Sequence, residues 1–127
     1  MNNLLNLGLS DDVTSFQRTL KIIDIKQKEV LLKNEEPASK VIFETIEPST
    51  GKKFTISDAW IQNKYNENDK RVAGIWLTLE NNEIRKESTL AKLLLRYEAS
   101  TLGDLIGNTL EAFPDKNNFL VFTTCEL

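Results

Sequence analysis

The stretch SDAWIQNKYNENDKRVAGIWLTL, residues 57–79, carries both tryptophans of the chain, Trp60 and Trp76, together with Tyr65, Lys64, Lys70 and Arg71. Flat aromatic rings offer stacking surfaces for planar bases, and cations beside them neutralise phosphates. The same aromatics are equally suited to a core, so the face each one occupies decides its role. Other chemistry is sparse. The chain has no histidine, which removes Ser-His-Asp and Cys-His catalysis and histidine metal ligation. Neither GxGxxG nor GxxxxGK[ST] occurs. The acidic runs at 10–12 and 34–36 match neither a calcium loop nor a two-metal spacing. No enzyme activity, metal or cofactor is therefore expected. Cys125 is the single cysteine, so no internal disulfide forms, and its apolar surroundings make it a small buried hydrophobe.

Strand parity sorts the aromatics. In RVAGIWLTL, Ala73, Ile75, Leu77 and Leu79 share one face, the expected core row. Trp76 lies on the other face, beside Gly74, which leaves room above the strand. It is the leading candidate for base stacking; packing beneath another element and anchoring a protein interface are the other readings. Trp60 shares parity with Phe54 and Ile56 and is expected in the core, although Asp58 in the same register signals a break near Ser57. Tyr65 stands with Lys64 in a polar loop that could close over a strand. Tyr97 ends a helical stripe and reads as core. Phe119 and Phe122 have opposite parity, so at most one points inward from a regular strand.

The candidate phosphate contacts are Arg18, Lys21, Lys53, Lys64 and Arg71, with Lys52 and Lys70 beside them. They matter only if they converge. Arg18 and Lys21 have opposite parity, so a regular strand does not present both. Net charge is −3, which disfavours a nucleic-acid partner without excluding one, because distribution outweighs the total. Only the middle of the chain, 51–87, has a positive balance, 7 basic against 6 acidic residues.

The elements that would position these residues are mostly strands. Phe16, Leu20 and Ile22 share one parity along 16–32, and the apolar parity flips at Ile23, which predicts a bulge or sharp bend. Further strands are expected over 40–46, 54–62 and 71–79, with a polar loop at 63–70 and a charged connector at 80–87. Leu90, Leu93, Leu94 and Tyr97 fall at i, i+3, i+4 and i+7, one stripe of a helix N-capped by Ser88. Thr101 and Asp104 have capping-box spacing for a second short helix, and Gly107 can end it. NTLEAFP, DKNN and FLVFTTC read as a closing hairpin. The first 15 residues form a loosely tied arm or one short helical turn, and 16–127 a single domain. With 127 residues and 40% hydrophobic content, one soluble globular domain is expected. No apolar run reaches the roughly 20 residues of a membrane span, and the N-terminus lacks a signal-peptide pattern. An intracellular, cytoplasmic protein with no membrane partner is therefore expected.

Strands crossed by one helical insert before a final hairpin follow the order of an OB-fold, a five-stranded Greek-key barrel; a mixed α+β sheet is the alternative. The stretch STLAKLLLRYEASTLGDLIGNTLEAFPDKNNFLVF, 88–122, resembles the helix and last hairpin of small OB-fold single-stranded-DNA-binding proteins of phages and archaeal mobile elements. The similar features are the Leu-rich helix ending in Tyr97, the TLGDLIG turn, and a strand–turn–strand with an aromatic–Leu pair. The resemblance implies a fold for which oligonucleotide binding is common. Unlike the better-known bacterial single-strand-binding proteins, this chain ends in FTTCEL, without a linker and long acidic tail. The expected function is sequence-tolerant binding of single-stranded DNA, or RNA. The alternative is a non-enzymatic interaction or structural module, a homo-oligomer included, with Trp76 as its interface anchor.

Overall fold

Ile22 and Ile23 are adjacent apolar residues, and a regular strand cannot turn both inward. In the computed structural model, which describes residues 17–127, the chain resolves this conflict with a bulge. Strand β1 (Arg18–Leu31) pairs with β2 (Pro37–Ile46), and their register slips between Ile22 and Asp24. Ile22 is fully buried, Ile23 faces out, and Ile25 packs against the core again. The sequence predicts this bend. The expected arm, 1–15, lies outside the described residues.

After β2 come β3 (Lys53–Ile56), β4 (Asp58–Asn63) and β5 (Asn66–Gly74). A small hairpin, β6 (Leu79–Glu80) and β7 (Glu83–Ile84), precedes α1 (Thr89–Arg96). A 3-10 turn over Leu102–Leu105 leads to β8 (Thr109–Pro114) and β9 (Leu120–Thr123). The class is mainly β, as expected. The sheet order is β3-β2-β1-β8-β9-β4-β5, and β4–β9 is its parallel contact. The sheet is therefore mixed, and its ladder is not closed into a barrel: β3 and β5 stand at its ends.

The physical cause is a break at Ser57, the only residue between β3 and β4. β3 pairs with the second half of β2. Beyond Ser57, β4 turns away, and residues 75–77 take up the free edge of β2. Val41 N–H donates to the Ile75 carbonyl (2.8 Å), and Leu77 N–H to that of Ser39 (2.8 Å). Ile75 N–H in turn donates to the Ser57 carbonyl (2.9 Å).

Two segments expected to be irregular are ordered. Residues 66–70 extend β5, and the charged connector holds the β6–β7 hairpin. Asn81 and Asn82, with φ of 54° and 65°, supply the left-handed pair that a tight hairpin turn requires. Leu79, expected in the core row, falls in β6 and is exposed.

The core joins Leu20 and Ile22 of β1, Val41 and Phe43 of β2, and Ala112 and Phe122 of the last hairpin to Leu90, Leu93 and Leu94 of α1. Phe43 meets Phe122 edge-to-face, centroids 5.3 Å apart. Ser88 caps α1, its Oγ accepting from Ala91 N–H. Thr101 and Asp104 form a capping box, on a 3-10 turn rather than an α-helix. Gly107 ends that turn at φ 89°. Cys125 and Phe122 are buried, Phe119 is exposed, and Tyr97 packs against the core with its hydroxyl accepting from Glu111 N–H.

Candidate nucleic-acid interface

The break at Ser57 decides where the tryptophans go. Ile56 is buried, and so is Ala59. An odd step between two buried residues means that the inward parity inverts across Ser57. Trp60 therefore leaves the face it would share with Phe54 and Ile56, and the core placement expected for it is corrected. It pairs with Val72, and Asp58 pairs with Gly74. Directly opposed residues share a face, so Asp58, Trp60, Val72 and Gly74 stand together, opposite buried Ala59. Trp60 is held firmly: its Nε1–H donates to the Pro114 carbonyl (3.2 Å), and its carbonyl accepts from Thr124 N–H and Oγ1. Beyond the ring lies a recess bordered by Arg71 and Val72 of β5 and by Asp115, Lys116 and Asn117 of the β8–β9 turn.

Trp76 joins the same face. Its indole lies over Gly74, where an added Cβ would stand 2.8 Å from Trp76 Nε1. Only a glycine leaves that space. Trp76 bridges to Lys40 across the edge of β2, and Lys40 pairs on its other side with Lys28. Lys28, Lys40 and Trp76 thus form one cross-strand row. Lys40 Nζ lies 5.6 Å from the Trp76 ring centroid and 2.9 Å from Asp58 Oδ1. Lys26 opposite Ile42, two pairs further along β1 and β2, and Lys70 opposite Gln62 on β4–β5 extend the same outward surface.

The other candidates divide. Arg18 points inward, bonded to Glu47 (Oε1 3.1 Å) and lying 5.6 Å from the Phe54 ring centroid, and does not join the tryptophans. Lys21 and Lys53 flank Ile46 in one outward row, but Ile46 lies six residues along β2 from Lys40, roughly 20 Å at strand rise. Arg71 pairs with Ile61 on the opposite face from Trp60, and borders both a recess with Lys92 of α1 and the recess beside Trp60. Lys64 and Tyr65 sit at the β4–β5 tip, the ammonium 5.0 Å from the ring centroid and Tyr65 86% exposed. The structure therefore brings together Trp60 and Trp76, sets Arg71 at the edge of the recess beside Trp60, leaves Tyr65 and Lys64 at one end, and separates Arg18, Lys21 and Lys53.

Sequence reasoning missed Lys26, Lys28, Lys40 and Lys116 as members or neighbours of this surface. A signal existed for three of them. A hairpin centred on Asn34 pairs 28 with 40 and 26 with 42, so its register alone aligns those lysines. Among the described residues, no group of three or more His, Cys, Asp or Glu is arranged to hold a metal, and no helix is long and apolar enough to cross a membrane. A separate apolar groove runs between α1 and the β6–β7 hairpin, bordered by Leu77, Ile84, Leu94, Leu95 and Leu102. No protein-family model, curated protein or solved structure matches the chain.

Proposed function

We propose that this protein binds single-stranded DNA, or RNA, without sequence preference and without catalysis, on the outward face that carries Trp60 and Trp76. The observation behind it is that both tryptophans share one face with Lys28, Lys40 and Lys70, beside the β8–β9 turn. Two rings for bases and several cations for phosphates are the components of a sequence-tolerant single-strand site. The strand order adds support for an OB-like topology. The ladder is open between β3 and β4; if 53–63 counts as one strand broken at Ser57, the neighbour order β1–β2–(β3–β4)–β9–β8 matches that of a Greek-key barrel with one parallel contact. In that fold the outer surface of the second and third strands and two flanking loops bind oligonucleotides. On this reading the tryptophan face would take the place of that surface, and the turns at 32–36 and 115–119 that of the loops.

The test is a tryptophan-fluorescence titration with oligo-dT at low and high salt. Quenching is expected, with affinity falling by a log–log slope of about −0.7 for each phosphate neutralised. Absence of quenching, or binding indifferent to salt, overturns the proposal.

A further inference from the structure

Trp76 is partly covered. Gly74 and the Lys40 stem meet at the Nε1 edge of its indole: a Cβ at Gly74 would stand 2.8 Å from Trp76 Nε1 and 3.4 Å from Lys40 Cε, and Lys40 Nζ reaches over the ring, 5.6 Å from its centroid. A base cannot stack where Lys40 rests. What keeps Lys40 there is Asp58, whose Oδ1 is 2.9 Å from the ammonium. The register sets up this arrangement: Asp58 opposes Gly74, and Lys40 opposes Trp76, so one lysine stem spans ring and carboxylate. Lys28 stands across β1 from Lys40 and supplies a second positive charge, not a competing anion. The pair is reachable from water, with side-chain exposures of 23% for Lys40 and 36% for Asp58. With its carboxylate partly in water, the pair is held more weakly than an enclosed one.

Building on the nucleic-acid reading above, we infer that Asp58 latches Lys40 across Trp76, and that a phosphate of an incoming single strand draws Lys40 away and uncovers the indole for a base. Lys40 is then a ligand contact that doubles as a cover, and Asp58 is a positioning residue that never touches the ligand. The phosphate replaces one anion at Lys40 by another, so the ammonium stays paired throughout. The uncovered ring is used at once by the neighbouring base, which couples phosphate capture to stacking. Asp58 also sets a threshold: an isolated apolar ring-bearing molecule, lacking phosphate, does not release Lys40.

The test uses the full chain carrying Trp60→Phe, which leaves Trp76 as the only indole. Without DNA, acrylamide quenching of Trp76 is expected to rise when Asp58→Asn or Asp58→Ser is added, because Lys40 loses its anchor. With oligo-dT at low salt, either Asp58 variant is expected to bind about two- to fivefold more tightly, and the gain is expected to shrink as salt screens the pair. Unchanged acrylamide quenching, or unchanged affinity while oligo-dT still binds, overturns the latch and leaves the nucleic-acid reading standing. Failure of every variant, wild type included, to bind oligo-dT overturns both. If Trp60→Phe prevents folding, the two indole N–H signals of the two-tryptophan chain, followed by NMR solvent exchange, give the same comparison; faster exchange at Trp76 in the Asp58 variants is expected, and equal exchange overturns the latch.

Discussion

A cation, a carboxylate and an aromatic ring meet at each end of β2, and the two groupings behave as opposites. At one end, Arg18 Nη1 contacts both oxygens of Glu47 (3.1 and 3.3 Å) and its guanidinium lies near Phe54. Glu47 is only 7% exposed, and Thr50 Oγ1 donates to it as well (2.7 Å). At the other end, Lys40, Asp58 and Trp76 meet on the outward face, where Asp58 has no second partner among the side-chain hydrogen bonds of the described residues. The first carboxylate is enclosed and fully engaged; the second is about a third exposed and held by one lysine. Enclosure makes an ion pair structural, because breaking it strands a buried charge. Exposure makes it exchangeable, because water or another anion can substitute.

The largest expected effect tests the enclosed end. Arg18→Ala removes the cation from a buried carboxylate and should cost about 1–3 kcal/mol of stability in urea unfolding, whereas Lys40→Ala should cost under about 1 kcal/mol. Similar losses for both would erase the distinction between the two ends. Arg18→Ala should leave oligo-dT affinity unchanged where the variant is folded.

Affinity tests the exposed end. Trp60→Ala and Trp76→Ala should each weaken oligo-dT binding by about 1–3 kcal/mol, read by anisotropy of a labelled oligonucleotide. Loss of affinity from Trp60→Ala alone would move the site toward the β8–β9 turn and away from Lys40. The smallest effect belongs to the row beyond: Lys26→Gln and Lys28→Gln should each reduce the salt slope by about 0.7 if the lysine contacts a phosphate. Lys21→Gln and Lys53→Gln, at the far end of the sheet, should leave the slope as it is.

Much of the fold follows from local pattern, because the signals are local. The bulge at Ile23, the Ser88 cap, the Thr101–Asp104 box and the Gly107 stop each depend on a few neighbouring residues. The class followed too. The site was legible only in part. Trp76 could be assigned its face because the sequence alternates from Ala73 to Leu77, although β5 itself ends at Gly74 and Trp76 follows it as an isolated bridge to Lys40. Trp60 could not: Asp58 signalled the break near Ser57, but the inversion of parity that follows is a tertiary outcome, because 75–77 must arrive to claim the edge that β4 leaves. The lysines were hidden for a similar reason. Lys28 and Lys40 are twelve positions apart in sequence and meet only through hairpin register. Arg18 looked like a phosphate contact because its partner, Glu47, lies across two strand lengths.

The most direct measurement is a 1H–15N NMR titration with oligo-dT that follows side-chain N–H signals. Both indole signals, from Trp60 and Trp76, should shift together and saturate at one stoichiometry, while the Arg18 Nε–H signal stays still. Binding that leaves both indole signals in place, or that moves Arg18 rather than the tryptophans, would contradict the account.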